Sequence, residues 1–420
     1  MRTGDGQGRR ADAVVVGGGV IGLALARELA RGGAGVVVCE AAGPGREATW
    51  AAGGMLAPQA EAARADDFFR LQCASRDAYP DFAAALREET GRDVELDRTG
   101  TLYLAFGAED EAELGRRFRW QSAAGLAVER LTGEEARALE PLVSPRVRLA
   151  LRFPQDWQVD NRKLAAALAE SAEKFYGARV LSGVRVAGVR VRGGRVEGVE
   201  TSAGFVAAGA VVLAAGAWTS RVPFLSAEGE TLTAYAHPRV VPVRGQMLCL
   251  TRPAGGGADA GATDAAGTTP APPRHVIYSP RGYVVPRRDG RLLAGSTTEE
   301  AGFDKSVTAA GLHAVLAHAL EIAPALGAFA PADSWAGLRP RADDALPVIG
   351  ESPEVERLFY ATGHYRNGIL LAPLTARIVS RMVIGGAPDR PDAPDVGQYR
   401  VESFSPARLL PAHARSTRQA

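Results

Sequence analysis

The chain reads as an α/β protein, α+β overall, in which a dinucleotide-binding domain is interrupted by a second domain. Two observations predict this. A strand, glycine turn, helix, strand and acid follow one another from Ala13 to Glu40, and nucleotide-type segments recur in the middle and at the end of the chain. In the first unit Val14, Val15 and Val16 make a short β-branched strand that turns through Gly17, Gly18 and Gly19 into an apolar helix. Gly17 allows the tight turn, Gly19 lets the backbone approach a pyrophosphate, and Gly22 lets the helix pack close to the sheet. The helix N-terminus, with Val20 and Ile21, presents N–H groups to phosphate. A second strand, Val36 to Val38, ends at Glu40, about 20 residues on, where a carboxylate can accept bonds from ribose hydroxyls.

The remaining elements follow in order. Residues 1–10 read as a flexible arm, and the pair Gly53-Gly54, flanked by Ala52 and Met55, marks a close backbone approach. Stretches rich in Ala, Glu, Arg and Leu at 65–90 and 108–140 read as helices, with strands between Val94 and Phe106. Asn161 to Tyr176 reads as a helix, and Val180 to Val199 as strands broken by a hairpin at Gly193-Gly194. Val206 to Ala214 is a strand that opens onto Ala215, Gly216, Ala217 and Trp218. Residues 253–273 are low in complexity and read as a flexible insertion between two strands of one sheet. Strands resume at Tyr283–Val285 and Leu292-Leu293, a helix is expected over Ala309–Ala323, and Leu358–Gly363 is a strand feeding a helix from about Asn367 to Ile384. The resulting division assigns 11–64, 145–225 and 335–390 to the nucleotide domain and 65–144 and 226–334 to a substrate domain, with 405–420 a flexible tail. Such interleaving points to a flavoprotein, since a simple nicotinamide dehydrogenase keeps its nucleotide domain contiguous.

Composition excludes several classes. The net charge of +1 provides no basic field for nucleic acid. Cys39, Cys73 and Cys249 are odd in number, scattered and without a CxxC, so neither a disulfide framework nor a metal site is expected. Arg9-Arg10 precedes an apolar run, but that run holds the glycine triplet and continues into Arg27 and Glu28, which fits a nucleotide fold better than a signal peptide. No run of about 18 apolar residues occurs, so no membrane partner is expected and a cytoplasmic location is.

Two further segments carry chemistry. Val211 to Ser220 is a strand opening at small residues, as a second backbone approach to a dinucleotide requires, although a core strand with a tight turn reads equally well. Thr362 to Pro373, TGHYRNGILLAP, starts a helix whose N–H groups point outward; beside a flavin ring they would stabilise the negative charge of the reduced form.

These residues, with AAGGMLAP (51–58), VRGQML (243–248), GYVVPRRDGRLLAGSTTEEAGFD (282–304), WAGLRP (335–340) and FSPARL (404–409), make nearly the whole chain similar to the D-amino-acid oxidase and sarcosine oxidase superfamily. Within it, the chain most resembles the glycine oxidases of the thiazole branch of thiamine synthesis. The resemblance implies noncovalent FAD, a Rossmann-like FAD domain and a substrate domain built on a large antiparallel sheet. It implies Arg339 as the clamp on a substrate carboxylate, for which a planar guanidinium is suited, with Tyr283 supporting it, Arg366 at the flavin edge and Met55 in the pocket wall. Gly17, Gly19, Val20, Ile21, Gly22, Glu40, Ala52, Gly53, Gly54, Met55, Val184, Ala215, Gly216, Trp218, His364, Arg366, Asn367, Gly368 and Ile369 are the expected cofactor contacts. Arg281 stands where some relatives carry a histidine. The implied reaction is oxidation of glycine or another small amino acid to the imine, then glyoxylate and ammonia, by hydride transfer to flavin N5, with O2 reduced to H2O2. It needs positioning rather than an acid–base dyad, so no catalytic acid or base is expected. Sarcosine or a D-amino acid, an acceptor-linked dehydrogenase and a non-catalytic flavin-binding subunit are the alternatives; a homo-oligomer and a functional link to thiazole synthase are open expectations.

Overall fold

The computed structural model describes residues 10–253, 271–385 and 401–410. Two sheets organise it. Five parallel strands run in the order 179–182, 36–40, 11–16, 204–213 and 358–362, with Val348–Glu351 antiparallel at the last edge. The register Ala13↔Val36 and Ala13↔Ala210 centres the fingerprint strand, whose valines are buried on both faces, as a parallel sheet demands. The first half of Gly204–Leu213 turns away to pair with the hairpin strand Arg195–Thr201. The helices Val20–Arg31, Asn161–Glu170 and Gly368–Ile384 cover one face through Leu23, Leu29, Leu164, Leu168, Leu371 and Val379. A Cβ at Gly22 would stand 2.0 Å from the Gly17 carbonyl oxygen, so only glycine allows this approach of helix to strand.

The second sheet has eight strands, in the order 330–342, 240–251, 292–295, 283–286, 276–278, 101–105, 149–153 and 129–132. All neighbours are antiparallel except Val276–Tyr278 beside Thr101–Ala105. Helix Ala309–Ile322 covers one face through Val315, Ala319 and Ile322, while the other face carries Met247, Tyr278, Tyr283 and Trp335.

Several elements differ from the sequence reading. The helices Asp67–Asp77 and Tyr79–Thr90, grouped above with the substrate domain, place Leu71, Tyr79, Phe82 and Leu86 in the core of the first sheet. Leu149–Phe153, which the division places in the nucleotide domain, and Ala330–Ala342, which it splits at 335, both belong whole to the second sheet. The stretch 108–140 is two helices, Ala108–Ala123 and Gly133–Leu139, separated by the strand Glu129–Thr132. Residues 405–410, expected to be a tail, pack instead: Leu410 is buried and Arg408 pairs with Asp344 at 2.7 Å. Most of the low-complexity insertion lies outside the described residues, but the strands on either side of it, Val240–Thr251 and Val276–Tyr278, do belong to one sheet.

Candidate active site

A cavity of about 370 Å³ lies where the carboxyl ends of the parallel strands meet the aromatic face of the second sheet. The strand ends bring Val16, Cys39, Glu40, Ala214 and Thr362 to the cavity, and the facing wall is Met247, Tyr278, Tyr283 and Arg339. Ligands collect at such strand ends because the turns there leave helix N-termini pointing outward.

Two helix N-termini converge on this space. The first is Gly19–Val20–Ile21, where the Val20 N–H donates to Thr49 Oγ1 at 2.9 Å. The second is Asn367–Gly368–Ile369, whose helix lacks a side-chain cap and so leaves its first N–H groups available to a ligand. Gly17 holds φ at +107°, and a Cβ there would meet the Ala214 carbonyl oxygen at 2.6 Å. At the end of its strand Glu40 accepts the Gly18 N–H at 2.7 Å and the Ala42 N–H at 2.9 Å. Each carboxylate oxygen retains a lone pair for a further donor. Trp218 closes this side and packs against Phe303 in a tilted ring contact, centroids 5.5 Å apart.

The other end of the cavity is built by the second sheet. Arg339 stands opposite Val243 across the ladder from Val240–Thr251. Its guanidinium donates to the Thr297 carbonyl at 3.1 Å and to Ser296 Oγ at 2.6 Å, and it lies directly over Gly245, whose hypothetical Cβ would be 2.2 Å from Nη2. Among the described residues no carboxylate pairs with it, and burial pulls its pKa down from the ordinary arginine value. An unpaired guanidinium facing a cavity is a demand for an anion. Tyr283 directs its hydroxyl at Met247 Sδ, 3.3 Å away. Sulfur is a weak acceptor, so the hydroxyl has bonding capacity left for a ligand.

Arg366 occupies the mouth of the same space, donating to Glu61 Oε1 at 3.3 and 3.4 Å, and that carboxylate holds its pKa above the usual arginine value. Tyr278 also donates to Glu61 Oε1, at 3.2 Å. His364 is buried, shares a hydrogen bond of 3.0 Å with Thr375 Oγ1, and is pushed down to about 3 by burial, which makes it a neutral imidazole.

Gly17, Gly19, Val20, Ile21, Glu40, Ala52, Gly53, Gly54, Met55, Ala215, Gly216, Trp218, Tyr283, Arg339, His364, Arg366, Asn367, Gly368 and Ile369 all line the cavity. Two residues expected there do not. Gly22 faces the sheet and acts through packing, and Val184 only donates its backbone N–H to the Glu40 carbonyl, leaving the wall to Arg185 and Val186. Arg281 also stays outside, drawn off by Glu321 at 2.6 Å and Asp110 at 3.3 Å. Cys39, set aside in the sequence reading, does line the cavity, but burial pushes its thiol up to about 11. Thr49, Glu61, Met247 and Tyr278 were not named from the sequence, although Met247 lies inside the VRGQML segment and Glu61 three residues past AAGGMLAP.

The DAO family, FAD-dependent oxidoreductases, matches residues 12–382. The chain belongs to this family. It is 36% identical over 375 residues to the glycine oxidase of Geobacillus kaustophilus, covering 89% of this chain and 93% of that one. The crystal structure of glycine oxidase from Geobacillus kaustophilus matches with a TM-score of 0.84 at 32% identity, over 96% of this chain and 100% of that chain. A bifunctional ThiO/ThiG protein of Synechocystis is 34% identical over 400 residues, 95% of this chain, which spans 54% of that longer protein. The chain is thus an FAD-dependent oxidoreductase of mixed α/β fold, and its residues suit the cofactor. The helix ends at Gly19 and Asn367, neither capped by its own N-cap side chain, would face the pyrophosphate and the flavin carbonyl, and at Gly19 only Thr49 Oγ1, at 3.4 Å, comes near a hypothetical Cβ, which leaves the cradle open to phosphate. Among the described residues no cluster could hold a metal ion, and no helix is long and apolar enough to cross a membrane.

Proposed function

We propose that the chain oxidises glycine to the imine, which water converts to glyoxylate and ammonia, while O2 is reduced to H2O2. The observation that carries this reading is Arg339: a guanidinium with no carboxylate partner among the described residues, on the wall that faces the dinucleotide cradle. FAD bound in that cradle supplies the hydride acceptor. Arg339 would take the substrate carboxylate in its two-pronged fork, Tyr283 would add a bond to the same group, and both would fix the orientation of Cα. The wall favours a small substrate. A Cβ at Gly295 would lie 2.4 Å from Met247 Sδ, and one at Gly53 would lie 3.3 Å from Met55 Cε, so side chains already fill the space around Tyr283. Glu61 pairs with Arg366, so among the described residues Arg339 is the cation beside Tyr283 that no carboxylate meets, which suits a monocarboxylate. No proton-transfer residue is needed if the amine binds neutral, and the neutral His364 supplies none.

Noncovalent attachment is part of the proposal. Among the described residues Cys39 is the only cysteine on the cavity, and a buried thiol raised to about 11 is a poor nucleophile. The ThiO/ThiG relative, one chain carrying both names, supports a functional link to thiazole synthase and with it a cytoplasmic setting. Purified holoenzyme assayed with glycine, sarcosine and D-alanine, following oxygen uptake and peroxide, tests the reading. Peroxide production highest with glycine is expected. Turnover only with an artificial acceptor would make the chain a dehydrogenase, and preference for sarcosine or D-alanine would reassign the substrate.

A further inference from the structure

Arg287 is buried, yet none of its nitrogens meets a carboxylate among the described residues. Nη1 donates to Gln158 Oε1 at 2.9 Å and to the Val159 carbonyl at 3.2 Å, while Nη2 donates to the Gly53 carbonyl at 2.8 Å and to Asn161 Oδ1 at 2.9 Å. Burying a cation among neutral acceptors is costly, and the four bonds that offset the cost hold the guanidinium against the backbone at 53 and 159 and the side chains at 158 and 161. The chain of bonds continues. Asn161 Nδ2 donates to the Thr49 carbonyl at 2.7 Å and to the Trp50 carbonyl at 3.2 Å, and Thr49 Oγ1 accepts the Val20 N–H at the first turn of the leading helix. Gly54 seats against the same group: its φ is +75°, and a Cβ there would be 2.1 Å from the Val159 oxygen and 3.0 Å from Arg287 Nη2.

We infer that Arg287, from the second sheet, is a positioning residue that fixes the Thr49–Met55 wall and, through Asn161 and Thr49, the phosphate-facing turn at Val20. It touches neither cofactor nor substrate. Its planar fork joins acceptors from two separate segments, 53 and 158–161, which lysine can do only in part. The inference rests on the cavity being the FAD site.

The test is titration of apoprotein with FAD, followed by flavin fluorescence well below the melting temperature, for wild type, Arg287→Met, Arg287→Lys and Asn161→Asp. Asn161→Asp keeps the acceptor for Arg287 but removes the donors to Thr49 and Trp50. A rise of about tenfold or more in the FAD Kd is expected for Arg287→Met and Asn161→Asp, with Arg287→Lys intermediate. A lowered melting temperature at wild-type Kd would make Arg287 a structural residue only and overturn the inference, as would a lysine variant no better than methionine. Should Arg287→Met fail to fold, Asn161→Asp decides alone: a raised Kd supports the relay and a wild-type Kd overturns it. Failure of the wild type to bind FAD would instead defeat the reading of the cavity.

Discussion

At the residue scale the site depends on which cations are free. Arg339→Lys keeps a charge but loses the two-pronged contact. Since a bond to a charged donor is worth roughly 1.5–3 kcal/mol, kcat/KM for glycine should fall roughly 10- to 150-fold with FAD content unchanged, measured by steady-state kinetics and flavin absorbance. Gly245→Ala should act in the same direction without touching a charge, because its Cβ would stand 2.4 Å from Arg339 Cζ and push the guanidinium out of place. At the other cation the expected change is one of specificity. Glu61→Gln leaves Arg366 without its carboxylate, so a dicarboxylic amine such as iminodiacetate should gain in kcat/KM relative to glycine; an unchanged ratio would show that Arg366 does not face the substrate. The places of Arg339 and Tyr283 on the cavity wall were legible in the sequence because each sits in a distinctive motif. Glu61, Met247 and Thr49 were not singled out because their roles arise from contacts made across long stretches of chain. Thr49 acts on Val20, 29 positions earlier, and Tyr283 on Met247, 36 positions earlier.

At the scale of elements the fingerprint strand and helix were fully readable, since their glycine turn and valine runs are local signals. Ala330–Ala342 was not assigned from the sequence: its prolines and charged residues break the alternation of a strand, and its pairing with Val240–Thr251 is a tertiary matter. The helix expected over Asn161–Tyr176 ends its α-turns at Glu170 and widens to a π-turn over Ser171–Phe175. There Ser171 and Tyr176 bond to Glu89, which also bridges to the buried Arg27. His237 ties the segment after Phe224–Leu225 to the parallel sheet. Its Nδ1 accepts from the Tyr360 hydroxyl at 2.9 Å, its Nε2 donates to the Val222 carbonyl at 2.6 Å, and burial pushes it down to about 4. The unfolded state therefore binds more protons than the folded one between about pH 4 and 6.5, and this contribution to stability is lost as pH falls through that window. His237→Gln lacks that titration. The stability gap between wild type and variant, measured by urea unfolding, should be widest near pH 7.5 and narrow toward pH 4.5; a constant gap would mean the imidazole is not held neutral.

At the scale of the whole molecule, the site exists only because two sheets from interleaved segments meet, and the connections between their strands need only reach. The link from Thr251 to Val276 makes this testable. The ladders pair Leu250 with Leu292 and Leu292 with Pro286, and the pairing of Ile277 with Val284 brings His275 level with Pro286. Thr251 and His275 thus lie at one end of the sheet, three strand spacings apart, or about 14 Å. Deleting Ala254–Pro270 leaves seven residues, 252–253 and 271–275, to join the two strands. Seven residues reach about 23 Å when extended, enough to close the gap without moving either strand. Shortening a 24-residue connection to seven lowers its closure entropy cost by about 1 kcal/mol. The deletion should therefore keep FAD content and glycine turnover within about twofold of wild type and leave the melting temperature equal or slightly higher. A large loss of turnover with FAD retained would mean that the segment contributes to the substrate site, and loss of FAD or of folded protein would mean that the second sheet depends on it.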